Sequence, residues 1–280
     1  MCAVFHAADL YGTKFWSAIF LLRLAMLDAV RYTVTMEKKR YLVPLLFVAA
    51  VFAHADSVFE SGMPQAFLAF AEAAYTSVCE IQKISELKAE AVSLSDMYVG
   101  SDQLVYLGLC EYISGMDAYF RGQNDLAGEF FDKAQDQISK SLSIERNVVN
   151  LSAFAFTLLR NASVKKFSYQ IKWVPKLNGI VNEALEKNPD YLQAKIIKFT
   201  IQCFIPAPYG SYRKGSVNME SLYNSGVARS PVDDYSMCTC IGYALSKLND
   251  TAGAISWYQA ALALFPQNGD TLRGIAELQK

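Results

Sequence analysis

Histidine, cysteine and clustered carboxylates are the side chains that would let this chain cut bonds or hold a metal. Their placement argues against both roles. The only two histidines, His6 and His54, fall within the first 55 residues. The rest of the chain has no imidazole for a Ser–His–Asp arrangement or for zinc. Five of the six cysteines come later, at Cys79, Cys110, Cys203, Cys238 and Cys240. Cys238 and Cys240 are separated by one residue, which is not the Cys-x-x-Cys spacing of metal and redox sites. Two positions apart on a helix, they point to different faces. These thiols are expected as small buried packing groups, although an oxidising compartment would permit some pairing. There is no glycine-rich phosphate loop and no G-x-S-x-G elbow. Glu111 and Asp117 are spaced like ordinary helix-surface acids and receive no catalytic role. The expectation is a protein that is not an enzyme and uses neither metal nor cofactor.

What remains is binding, and the composition narrows what could be bound. The 26 basic and 27 acidic side chains nearly cancel. A nucleic-acid surface would need clustered Lys and Arg on one face. Hydrophobic residues make up 52% of the chain and aromatics 13%, enough for a sizeable core and for aromatic contact surface.

The N-terminal stretch carries an address. Residues 36–57 read MEKKRYLVPLLFVAAVFAHADS. A basic start, an apolar run from Tyr41 to Ala53 and the small residues Ala53 and Ala55 form the three parts of a secretory signal in order. The run is too short to span a bilayer, which takes about 20 residues. The expectation is a signal peptide over Met36–Ala55 and export, in a bacterium to the periplasm. Residues 1–35 are then an overlong gene-model start. The alternative is a membrane-associated helix at Phe15–Val30, interrupted by Arg23 and Asp28, and membrane contact would be limited to this segment if uncleaved.

Beyond it the apolar spacing is helical throughout. Residues 56–102 form an N-terminal helical segment. Neither proline nor glycine occurs from Gln65 to Met97, and Ala66, Ala69, Phe70, Ala73, Ala74, Ser77, Val78 and Ile81 keep three-four spacing. From about residue 103 the chain has an internal period. Gly115 is followed by Ala127 twelve residues on, Phe131 four further and Ala134 three further. Gly242, Ala254, Tyr258 and Ala261 repeat those intervals. Polar turns at 122–125 and 248–250 separate the two halves of each stretch. Small residues let two antiparallel helices approach, and the aromatic fills the space beside them.

This spacing resembles the tetratricopeptide repeat, a helix–turn–helix unit of about 34 residues. The C-terminal copy departs from the family pattern with Cys238 and Leu245 where aromatics are usual. Two weaker copies lie between. One pairs a helix at 147–161 with another at Pro175–Lys187, which Pro189 closes. The other pairs Tyr191–Phe204 with Asn218–Arg229, closed by Pro231, with Tyr223 and Gly226 in the aromatic and small places. Insertions are expected at Ser163–Trp173 and Ile205–Val217. Residues 268–279 read as a capping helix. The fold class is therefore all-α: an α-solenoid of helical hairpins like those of the tetratricopeptide family over 103–280, with an N-terminal helical extension and a C-terminal cap.

The resemblance implies an inner groove, lined by the first helix of each hairpin, that grips a peptide or a partner helix. Leu109, Tyr112, Met116 and Tyr119 would line it at one end, unless the N-terminal helix covers them. Ser236, Thr239, Tyr243 and Lys247 would line it at the other. Tyr209, Tyr212, Arg213 and Lys214 on one expected loop, and Trp173 on the other, are further candidates, since long loops often carry function. The leading expectation is an exported adaptor for a protein or peptide partner, such as an envelope or transporter component. The alternatives are a binder of a small hydrophobic ligand associated with a transporter and a self-associating scaffold.

Overall fold

A computed structural model describes residues 64–280, apart from 78, 206, 208 and 209. The signal-peptide and membrane-helix expectations for residues 1–55 lie outside the described residues. Among the described residues the chain is all-helical, with no strand. No described helix is long and apolar enough to cross a membrane.

Eleven helices follow one another among these residues. They are α1 (Gln65–Tyr75), α2 (Ile81–Ser95), α3 (Ser101–Phe120), α4 (Asn124–Ile144), α5 (Val148–Val164) and α6 (Phe167–Lys187), then α7 (Leu192–Phe204), α8 (Tyr212–Tyr223), α9 (Pro231–Lys247), α10 (Thr251–Leu264) and α11 (Gly269–Leu278). The long proline-free stretch is thus two helices, α1 and α2. From α3 onward the helices pack as hairpins, α3 with α4, α5 with α6, α7 with α8 and α9 with α10, and α11 packs on the last. Their first helices also touch in order, α3 to α5 to α7 to α9. Helix α1 touches both α3 and α9, the first and last of that series, and so completes a circuit of inner helices.

The repeated spacing has a direct steric meaning. A Cβ on Gly115 would lie 2.5 Å from the Phe131 ring, and one on Gly242 would lie 2.8 Å from the Tyr258 ring. Each aromatic of the second helix fills a slot left by the glycine on the first. Ala127, Ala134, Ala254 and Ala261 are fully buried at the same crossings. Local polar groups set the helix starts by accepting orphan backbone N–H bonds. The Asn147 side chain accepts from Asn150 N, and Asp250 accepts from Gly253 N. Ser230 and Asp233 form a reciprocal capping box at α9.

Three expectations are corrected in the middle of the chain. Residues 167–173, read as loop, form the first turns of α6, so Trp173 is a helix residue. Proline at 175 lacks an N–H for the preceding turn. Tyr169 nevertheless pins this end by donating to Gln135 Oε1 at 2.7 Å, and Gln170 by donating to the Ala162 carbonyl at 2.9 Å. Second, α8 runs six residues earlier than the expected Asn218–Arg229. Ser211 caps it by accepting from Lys214 N, so Tyr212, Arg213 and Lys214 occupy its first turn instead of a loop. Gly226 then falls in the connection at φ +72°, not at a helix crossing. Third, Pro231 opens α9 in its first turn, where its missing N–H costs nothing, instead of closing the helix before.

Candidate binding cavity

The inner circuit leaves a recess of about 230 Å³. Six helices supply its wall. Tyr119 and Phe120 come from the end of α3, Arg160 from α5 and Phe204 from the end of α7. Tyr235, Thr239 and Tyr243 come from α9 and Tyr258 from α10, while α11 contributes Asp270, Thr271, Arg273, Gly274 and Glu277.

Arg160 is the least expected of these. Within α5 it is the single charged side chain in an otherwise apolar and small-residue helix. The next residue fixes its direction. Asn161 is fully buried and its Nδ2 donates to Asp132 Oδ1 at 2.8 Å and to Gln135 Oε1 at 3.1 Å. That holds one side of α5 against α4, and the roughly 100° step per helical residue turns Arg160 toward another. Tyr112 places its hydroxyl beside the guanidinium, and Tyr75, Tyr119 and Cys240 are its other near neighbours. Burial works against the Arg160 charge. The ionised forms of Tyr112, Tyr75, Tyr119 and Cys240 act in the opposite sense and the net direction is upward, and a guanidinium starts so far above neutral pH that the group stays cationic. Burial raises the pKa of each of those tyrosines and of Cys240, which is pushed up to about 11, so all four neighbours are neutral at physiological pH. Among the described residues, Arg160 takes part in none of the ion pairs.

One end of the recess is built by a buried polar cluster. Tyr235 donates to Asn268 Oδ1 at 2.7 Å, and its oxygen lies 2.7 Å from Thr271 Oγ1. Asn268 caps α11 by accepting from Asp270 N and Thr271 N, and its Nδ2 donates to the Tyr75 carbonyl at 2.9 Å. This cluster joins α1, α9 and α11. The Tyr75 ring meets Phe120 at 4.8 Å and Tyr235 at 5.2 Å, both edge-on. At the rim Arg273 pairs with Asp270 at 3.3 Å.

The sequence candidates divide by location. Tyr119 and Tyr243 line the recess. Tyr112 stands behind it against Arg160, with its ring 5.8 Å from Phe131. Met116 is fully buried in the cluster that contains Tyr75, and Leu109 packs against the core around Ile138 and Leu158. Lys247 is exposed with its ammonium 5.0 Å from the Tyr243 ring centre. Phe204 stacks on Tyr243 at 4.3 Å and Tyr212 stands edge-on to it at 6.5 Å. Arg213 and Lys214 are exposed. Trp173 is half-buried on α6 with the Lys176 ammonium 4.6 Å from its ring, and it takes no part in lining the recess. Tyr209 lies outside the described residues. Sequence reasoning passed over Arg160, Tyr235 and Tyr258, although the isolated charge in α5 was a readable signal.

The five described cysteines are free thiols, four of them buried. Burial pushes Cys110 up to about 12 and Cys238 to about 11, and it also raises Cys203, so these are inert packing groups. Comparison of the chain with protein-family models, with curated proteins and with solved structures finds no match.

Proposed function

We propose that this chain is an exported binding protein built from tetratricopeptide-like hairpins, and that its inner recess takes a small molecule. The observation that carries this is the placement of α1. By touching both α3 and α9, it occupies the inner face along which an extended peptide would otherwise lie. What stays accessible is a pocket-sized recess lined by aromatic rings and a few convergent polar groups, the usual make-up of a small-ligand site. Export rests on the Met36–Ala55 pattern, and the repeat assignment on the paired Gly-Ala-aromatic-Ala spacing.

A partner protein is the second reading, favoured by one feature. Phe204, Tyr212 and Tyr243 form a half-exposed aromatic group beside the exposed Lys247, which suits docking by an amphipathic segment. Native mass spectrometry of protein isolated from its own cells separates the two. A small-molecule mass adduct that disappears in a Thr239→Phe variant, which fills the recess, supports the first reading. A stoichiometric polypeptide lost in Tyr212→Ala/Lys247→Ala, with no small adduct, supports the second.

A further inference from the structure

Arg160 is a cation that lines the recess beside neutral phenols. Tyr112, Tyr75, Tyr119, Tyr235 and Cys240 lie around it, and it joins no ion pair among the described residues. A half-buried guanidinium with no anionic partner gains from an incoming carboxylate through charge-assisted hydrogen bonds. It also lines the recess, so the anion has a place to sit. We infer that the recess binds a small monocarboxylate, with the carboxylate on the Arg160 guanidinium and an apolar tail against the Phe120, Phe204 and Tyr243 rings. The inference rests on the recess being a ligand site.

The rest of the lining selects among anions. Asp270 and Glu277 face the same space, and Arg273 is already paired with Asp270. That leaves one unpaired guanidinium and the Glu277 carboxylate, a balance that suits a single negative charge at Arg160 and disfavours a dianion such as phosphate. The planar fork of arginine matches a carboxylate with two parallel N–H bonds. Size sets the tail. A cavity of about 150 Å³ takes benzene, so 230 Å³ admits an acid of about ten non-hydrogen atoms.

Isothermal titration of the purified protein with phenylacetate and hexanoate, their neutral counterparts 2-phenylethanol and hexanol, and inorganic phosphate tests this. The acids are expected to bind at least about tenfold more tightly than the alcohols, and phosphate more weakly than the acids. Arg160→Gln, checked for helical content, is expected to bring acids and alcohols to equal affinity. Arg160→Lys keeps the charge without the fork, so it retains part of the preference and serves if Arg160→Gln does not fold. Equal binding of acids and alcohols to the unaltered protein, a preference that survives Arg160→Gln, or phosphate as the tightest ligand would overturn the carboxylate assignment. In each of those cases the recess still stands as a binding site, provided binding is lost in Thr239→Phe. Binding of none of the probes would remove both readings.

Discussion

The first and last hairpins are built on the same interlock and differ in what lies beyond it. In α3/α4, Phe131 fills the slot at Gly115 and is wholly buried beneath Tyr112. In α9/α10, Tyr258 fills the slot at Gly242, but its far edge reaches Gly274 of α11 and the recess. One hydroxyl separates the two aromatics, and it marks the difference between a joint that only packs and a joint that also forms a wall. The last hairpin and its cap hold Tyr235, Thr239, Tyr243, Tyr258 and the α11 polar groups of the lining, whereas the first contributes Tyr119 and Phe120. The fold therefore gives its two ends a common skeleton and concentrates the chemistry at one of them.

The largest expected effect is alkaline unfolding that begins at the C-terminal end. Burial raises the folded-state values of Cys238 and Cys240 from an ordinary 9.0 to about 11. A thiol raised in this way favours the folded state while neutral. Its contribution is complete below pH 9 and is lost as pH rises toward 11. The first hairpin has one such thiol, Cys110, pushed up to about 12, while α9 has two. Hydrogen exchange between pH 8 and 11 should show α9 and α10 opening before α3 and α4. Simultaneous opening would mean that the thiols do not distinguish the ends. Replacing Cys240 by alanine should move the onset upward.

Glycine contacts give the next comparison. A Cβ on Gly115 or Gly242 meets aromatic rings, but one on Gly215 would lie 2.7 Å from the backbone of Gln202 and Cys203 on α7. A ring can shift, whereas a helix backbone yields only by moving the helix. Gly215→Ala should therefore cost about 3 kcal/mol in urea unfolding, more than Gly115→Ala or Gly242→Ala at about 2 kcal/mol. Equal costs would mean that α7 and α8 separate easily. Asn268→Ala is expected at about 2 kcal/mol, combining a lost helix cap with the loss of buried bonds to Tyr235 and Tyr75. Its distinguishing readout is early exchange in α1 and α11 together, because Asn268 joins them.

These residues also show how far the fold was readable from the chain. The terminal hairpins were legible because Gly115 and Gly242 carry the same intervals to their partners, and a steric slot needs a residue without a side chain. The middle was misread because Gly215 looked like loop punctuation, Pro175 like the start of a helix and Gly226 like a small residue at a helix crossing. Gly215 serves a close helix approach, Pro175 is tolerated inside α6, and only Gly226 marks a true break. The recess was half visible. Tyr119 and Tyr243 follow from the helix stripe, but Arg160 matters only because Asn161 orients α5 and α1 closes the inner circuit. Both are long-range contacts that no local spacing encodes.

The smallest expected effect on stability is that of Tyr258→Phe, and setting it beside Phe131→Tyr tests the opening comparison most directly. The Phe131 ring lies 3.1 Å at its Cζ from where a Gly115 Cβ would stand. Phe131→Tyr would add an oxygen to a fully buried position. It should cost about 2 kcal/mol of stability. Tyr258→Phe removes an oxygen on the side facing the recess and leaves the slot at Gly242 filled. Its cost should stay within about 0.5 kcal/mol, while binding of phenylacetate changes measurably. Thermal unfolding and titration on the same two variants separate the roles. A costly Tyr258→Phe with unchanged binding would make Tyr258 a packing residue like Phe131, and the two ends of the molecule would then differ only in sequence. A cheap Tyr258→Phe with altered binding keeps the hydroxyl as the point where a shared joint becomes part of a site.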